Sequence, residues 1–282
     1  MKSKLFFNVL LLWTTFTFIM MMGQAVYAEE TNYITKNGVS VVKLDSRQVE
    51  GSVSLEGKTQ KEKIKLLVKK DSTSTWLDVN VKNGKFQENI WLTQGTGDYS
   101  ISIMIHEEDR KYSYGPTLNI ENKTAINKYL SPTKHVESDD EEIIKLAKEI
   151  TNVNDTELDK AKAIYRWVVE NITYDYEKYN KHQNNDYDNN YGAVYTYTTK
   201  KGVCYDYATL TAALSRAVGI QTKVVKGEGK LGSFKGLHAW NEIFIPEKGQ
   251  WIPVDTTFGN TTGKDFFDNV DFYTSHTKTE EY

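Results

Sequence analysis

The sequence predicts two domains of different class, an N-terminal all-β sandwich of immunoglobulin-like topology and a C-terminal α+β domain. Three observations carry this. Between residues 39 and 120, short runs of alternating apolar residues recur with turn residues between them, and no helical period intrudes. From residue 139 onward, three segments of helical period come first and β-rich segments follow, which is the order of an α+β domain. Between the two, residues 121–138 are polar, carry the Ser131-Pro132 step and read as a linker.

The chain of 282 residues opens with Lys2 and Lys4, then a nearly apolar run over 5–22, then Ala25, Val26, Tyr27 and Ala28 at the positions a signal peptidase reads. Residues 1–28 are therefore expected to be a signal peptide and the mature chain to begin at Glu29. An uncleaved anchor is the alternative, which Asn8 and the threonines of the run weaken. No cysteine follows the run, so lipid attachment is excluded, and no second apolar span follows, so stable membrane insertion is not expected after cleavage. The net charge is −3, with no basic block and no aromatic-basic interleaving, so nucleic acid is not an expected partner. No Gly-rich strand-to-helix loop signals phosphate binding. The expected location is extracellular or at the cell envelope.

The β domain is expected over residues 29–120, with 29–38 loose and strands over 39–44, 49–55, 63–69, 76–81, 85–92, 99–105 and 111–120. Alternation is plain in Leu77, Val79 and Val81 and in Ile101, Ile103 and Ile105. Asn83-Gly84 predicts a tight hairpin turn, because both residues tolerate the positive φ it needs. Trp76, Phe86, Trp91, Tyr112 and Tyr114 read either as sandwich core or as an aromatic binding platform. His106 with Glu107, Glu108 and Asp109 reads as a solvated loop tip rather than a metal site.

The second domain is expected over residues 139–282. Ser138, Asp139, Asp140 and Glu141 have the form of a capping box opening a helix with Ile143, Leu146, Ala147 and Ile150. A second helix is expected from about Thr156, with Leu158, Ala161, Ile164, Tyr165, Val168 and Ile172 on one side. Residues 174–201 are polar and hold seven tyrosines, and so long a non-periodic connection reads as one wall of a cleft. The third helix starts at Gly202-Val203-Cys204 and stops at Gly219, with Tyr207, Leu210, Leu214 and Val218 at helical spacing.

Cys204, the only cysteine, thus stands at a helix N-terminus, where free N–H groups and the macrodipole favour a thiolate. Taken alone it reads equally well as a small buried hydrophobe. A single cysteine in an exported chain cannot form an internal disulfide, so it is buried, pairs between chains or reacts. Downstream, residues 237–245 with His238 and residues 251–257 with Asp255 have strand composition, and Pro246 to Gly249 is turn-prone. A thiol, an imidazole and a carboxylate in that order fit nucleophilic catalysis. Trp240, two residues from His238, should face the same way and either shields the site as part of the substrate cleft or fills the core.

These stretches resemble the transglutaminase-like superfamily of papain-type cysteine enzymes. The match is Gly-Val-Cys-x-x-x-Ala at 202–208 with Gly219-Ile220 at the helix end, His-Ala-Trp-Asn at 238–241 and Trp-x-x-Val-Asp-x-Thr at 251–257. The helix before Tyr174-Asp175 also fits bacterial members, and the likeness covers roughly residues 139–275. It implies a triad of Cys204, His238 and Asp255, working without a cofactor through a thioester on a peptide or glutamine-type amide. In that family an aromatic oxyanion donor lies upstream of the nucleophile, and Tyr191, before Gly192-Ala193-Val194, occupies that place, with packing as the alternative. Water as acceptor would give deamidation or proteolysis, an amine transamidation. The other reading is a non-catalytic binding or scaffold protein of the cell envelope. His135, His182 and His276 stand apart from other ligand types in the sequence, and no metal is expected.

Overall fold

The computed structural model describes residues 32–187 and 189–282, so the expected signal peptide, residues 1–28, lies outside it. The described chain divides into two compact units. One comprises the described residues up to Val49 with Ser54–Ile90 and Gly97–Glu121; the other comprises Glu50–Val53, Trp91–Thr96 and Asn122–Tyr282.

The first unit is built from strands β1 (Tyr33–Lys36), β2 (Val39–Val42), β3 (Gln48–Val49), β4 (Ser52–Thr59), β5 (Ile64–Lys70), β6 (Thr73–Asp78), β7 (Lys85–Trp91), β8 (Gly97–His106) and β9 (Tyr112–Asn122). They form one sheet of order β1-β2-β4-β7 and another of order β3-β9-β8-β5-β6. The period-2 pattern is buried at Val53 and Leu55 of β4 and at Ile101, Ile103 and Ile105 of β8, whereas Leu77 is only half-buried and β6 ends at Asp78, before Val79 and Val81. Two sequence expectations need correction. Residues 33–36 are a strand, because Asn37 and Gly38, both at positive φ, turn β1 back onto β2. Asn83-Gly84 is the expected tight turn, with Lys82 and Lys85 exchanging hydrogen bonds of 2.9 and 3.0 Å. The strands on either side of it nevertheless belong to different sheets. Of the five aromatics, Phe86 is core whereas Trp76 and Tyr114 are exposed.

The second unit carries helices α1 (Glu141–Ile150), α2 (Glu157–Asn171), α3 (Tyr176–Gln183), α4 (Ala193–Thr199), α5 (Cys204–Ala217), α6 (Thr256–Thr262) and α7 (Phe272–Ser275). Its strands are β10 (Thr173–Tyr174), β11 (Lys201–Gly202), β12 (Thr222–Leu231), β13 (Phe234–Ile245), β14 (Gln250–Val254) and β15 (His276–Glu281). The last four make an antiparallel sheet of order β14-β13-β12-β15. Helix α1 is capped by Asp140, which accepts from the N–H groups of Glu142 and Ile143, so the cap lies two residues beyond the expected Ser138. Helix α2 is capped by Thr156 as expected.

Helix α5 is the centre of this unit. Tyr207, Ala208, Leu210, Ala212, Ala213 and Leu214 are fully enclosed among Ile143, Leu146, Ile164, Val168, Val224 and Ala239. Burying side chains the size of Leu210 and Leu214 stabilises by about 1.5 to 3 kcal/mol each, which fixes the helix and hence its first residue. Within residues 121–138, Val136 joins the same core and Glu137 accepts the Ala193 N–H at 2.7 Å, steadying the start of α4. Among the described residues, no helix is long and apolar enough to cross a membrane.

Candidate active site

Local chemistry places Cys204. Strands β10 and β11 pair in parallel, Tyr174 against Gly202, and deliver the chain to α5. Asp206 then closes the first turn by accepting the Val203 N–H at 2.9 Å. A Cβ on Gly202 would lie 2.5 Å from that of Asp206, so this step in front of the cysteine needs glycine. Cys204 is half-buried at the first residue of the helix.

The pairing of β13 with β14, Asn241 opposite Val254, brings the end of β14 beside His238. Asp255 is not on a strand. It caps α6, its Oδ1 accepting the N–H groups of Thr257 and Phe258 at 2.9 and 3.0 Å. Its Oδ2 accepts from His238 Nε2 at 2.8 Å. His238 is buried, stacked 4.2 Å from the Phe258 ring. With Nε2 committed to Asp255, Nδ1 is the nitrogen left to serve the Cys204 thiol, which is among the groups that raise the imidazolium. The three residues the motifs singled out therefore lie together, His238 hydrogen-bonded to Asp255 and influenced by the nearby Cys204 thiol.

Its electrostatics follow from burial and pairing. Burial alone disfavours the His238 imidazolium, but the charge and hydrogen bond of Asp255, then Cys204, outweigh it and hold the group up at about 10. Burial would likewise raise Asp255, yet His238 and then His276 pull it well below the usual carboxylate range. An imidazolium beside a partly accessible thiol is the arrangement that generates a nucleophilic thiolate.

The remaining candidates fare differently. The Tyr191 hydroxyl meets His182 Nε2 at 2.8 Å and donates to the Tyr187 carbonyl at 3.3 Å, which commits it on the α3 side. Trp240 is buried among Val225, Phe258, Phe266 and Phe272, with its ring centroid 6.2 Å from that of His238. His182 is paired with Tyr191 and His135 with the Tyr205 hydroxyl at 2.9 Å.

His276 corrects an expectation. Although remote in sequence from the other motifs, it stands 3.0 Å from Asp255 Oδ2, and ligand-type atoms of His238, Asp255 and His276 all lie within 4.8 Å of one another. At 2.8 and 3.0 Å, two Nε2 atoms lie within hydrogen-bond distance of one carboxylate oxygen. Tyr174, from the expected cleft wall, packs partly buried against the same core as Cys204, and burial, then the neighbouring Cys204, raises its hydroxyl far above the ordinary tyrosine value.

Behind Cys204, Lys178 donates to Asp206 Oδ2 at 2.7 Å and to the Asn190 carbonyl at 2.6 Å, with its ammonium 4.0 Å over the Tyr191 ring. Both charges are buried, and burial pushes the Asp206 carboxyl up against the pull of Lys178. This pair ties the 190–192 loop to the nucleophile helix. Lys178→Met strands a buried carboxylate and is expected to cost about 3 to 5 kcal/mol. Urea unfolding reads it, and a loss under about 1 kcal/mol would mean that Asp206 finds other support.

Residues 144–256 match the family model of the transglutaminase-like superfamily, and the chain carries a domain of that superfamily. Uncharacterized protein YebA of Bacillus subtilis is 29% identical over 141 residues, 45% of this chain and 19% of that protein. Kyphoscoliosis peptidase of Mus musculus is 30% identical over 131 residues, 42% of this chain and 19% of that protein. The matched stretch thus spans about a fifth of the length of these curated relatives. Among solved structures, a cysteine-protease candidate from Cytophaga hutchinsonii gives a TM-score of 0.39 at 18% identity, covering 89% of this chain and 91% of that one. Red sea bream transglutaminase gives 0.34 at 11%, covering 78% and 50%. Scores this low lend nothing to the functional reading.

Proposed function

We propose that this protein is an exported thiol acyltransferase or amidohydrolase that acts on peptide or glutamine-type amides through a thioester. Cys204 is the nucleophile, His238 its base and then the acid, and Asp255 the carboxylate that orients the imidazole. The observation that supports this most is the buried His238–Asp255 hydrogen bond of 2.8 Å, with the half-buried Cys204 among the groups that hold the His238 imidazolium. Cys204 sulfur bonds to the amide carbon, the C–N bond breaks, and the proton held by His238 Nδ1 leaves on the departing amine. Water or a second amine then cleaves the thioester, with His238 taking its proton. The Cys204 backbone N–H, at the helix start, is one oxyanion donor; Tyr191 would be a second only after leaving His182 and Tyr187.

In the same reading, residues 29–120 form an immunoglobulin-like sandwich, 121–138 a linker and 139–282 the catalytic domain. Residues 1–28 are lost on export, and the substrate is a peptide or protein at the cell envelope. Intact-mass analysis of the exported protein, given glutamine peptides and a labelled primary amine, tests all of this together. We expect a chain starting at Glu29, a thioester-sized adduct on Cys204, and product that carries the label or has gained water. Cys204→Ser should show neither adduct nor product. A chain that retains residues 1–28 would overturn the export reading. A wild-type thiol that neither forms adducts nor turns over would favour the scaffold reading.

A further inference from the structure

We propose that His276 is a positioning residue of this site: from across the sheet it donates to the same Asp255 oxygen that His238 uses, and so holds that carboxylate ionised and aimed at His238. The proposal rests on the catalytic reading of Cys204, His238 and Asp255 given above.

The sheet is built to bring these two rings together. His238 lies on β13 opposite Gly227 of β12, and His276 opens β15 opposite Gly229. Strands two apart in a sheet are separated by roughly 9.5 Å, yet the two ring centroids are 5.6 Å apart. Glycine on the intervening strand permits this. A Cβ on Gly229 would stand 2.8 Å from His238 Cγ, and one on Gly227 would stand 2.0 Å from the Thr277 carbonyl oxygen. Side chains at either position would push apart the strands or rings that now meet over Asp255.

The orientation of His276 is over-determined. It is 3% exposed, its ring is stacked 3.9 Å from Phe272, and Trp240, Phe258 and Phe266 close the other sides. Nδ1 lies 2.9 Å from Ser275 Oγ and 3.0 Å from the Phe272 carbonyl. Nε2 is 3.0 Å from Asp255 Oδ2, and because an ionised carboxylate only accepts, Nε2 carries the hydrogen. Removing this donor leaves a buried carboxylate oxygen with one partner in place of two.

The consequence is a pH effect. Asp255 is faced by His238 from β13, by His276 from β15 and by the Tyr165 hydroxyl from α2, while Cys204 of α5 faces His238. Apart from His238, the rings around His276, those of Trp240, Phe258, Phe266 and Phe272, carry no charge. His276 is among the groups that hold the Asp255 carboxyl low, so its loss lets Asp255 protonate at higher pH. A protonated Asp255 no longer sustains the His238 cation, and the reactive thiolate disappears earlier on acidification.

The test uses the full chain and the rate of Cys204 alkylation by iodoacetamide between pH 4 and 8, read by intact mass beside thermal unfolding. In His276→Phe, which keeps the ring stack, the acid limb should move up by about half to one pH unit, so the rate on that limb falls roughly 3- to 10-fold while that near pH 7.5 stays within about twofold. His276→Gln, which retains an N–H at similar reach, should return the limb toward wild type. If His276→Phe does not fold, His276→Asn, whose amide stops short of Asp255, is compared with Gln in its place. A limb that stays put, or a drop that is equal at every pH and not rescued by Gln, would make His276 a packing residue and overturn the proposal. His238→Ala serves as the control. If it leaves wild-type alkylation unchanged, the catalytic reading itself fails; if it slows alkylation while His276 variants do not move the limb, this inference fails alone.

Discussion

Iodoacetamide is expected to alkylate Cys204 rapidly at and below neutral pH, and His238→Ala is expected to slow that reaction about 10- to 100-fold near pH 6. The reason lies in the charge on His238. Held up at about 10, chiefly by Asp255, its imidazolium persists across the neutral range and acts on the nearby Cys204 sulfur. Without it the sulfur keeps only the helix N-terminus, whose contribution is about 0.3 to 1 kcal/mol. The variant's rate should then climb only above about pH 8, as for an unassisted thiol. Turnover should fall further than alkylation, by about 10⁴-fold in either His238→Ala or Cys204→Ser, because the imidazole is also needed to protonate the leaving amine. Pseudo-first-order alkylation at several pH values, beside product formation, separates the two effects. A wild-type profile that matches His238→Ala would show that the imidazolium does not activate the sulfur.

Asp255→Ala should damage both the fold and the chemistry. The carboxylate is 0% exposed and accepts four hydrogen bonds, two from the start of α6, one from His238 and one from His276. Its removal uncaps a helix and leaves two buried imidazole N–H groups unpaired, an expected loss of about 3 to 5 kcal/mol. The loss should depend on pH. His238 is raised above its unfolded value of about 6.5, so its contribution is complete below that pH and fades as pH rises through about 10. Asp255 is depressed, so its contribution is complete above the ordinary carboxylate value near 4 and fades as pH falls through the lower native value. The gap between wild type and Asp255→Ala should therefore be widest between about pH 4 and 6.5. Asp255→Asn keeps the cap oxygen, so it should recover much of the stability while leaving turnover down by about 10⁴-fold. Urea unfolding across pH and product formation distinguish these, and equal stability of all three proteins would show that the carboxylate is not the hub described.

Much of this site could be read from local pattern. The Gly-Val-Cys step at a helix start, the stop at Gly219, and the strands carrying His238 and Trp240 all depend on interactions within a few residues of each position. Turn chemistry at Asn83-Gly84 and the buried alternation of Ile101, Ile103 and Ile105 are legible for the same reason. Asn37-Gly38 carried the same turn signal, and reading it would have recovered β1. The Asp140 cap was displaced because several acids near the helix start compete for one geometry, and packing of Ile143 and Leu146 against α5 chooses among them.

His276, Lys178 and the partner choice of β6 and β7 have no such local signal. His276 reaches Asp255 because β15 returns beside β12 and two glycines there let the rings converge. Lys178 finds Asp206, 28 positions away, because α3 folds back over the start of α5, and Trp240 and Tyr191 take the partners that this packing supplies. The identity and order of the thiol, imidazole and carboxylate, and the elements that carry them, are properties of the chain, since propensity, capping and period act over one or two turns. Which side chains share a buried hydrogen bond is decided by strand register and by helix packing between segments far apart in sequence. Those are set only when the whole core closes, because no single segment buries enough surface to choose its partner alone.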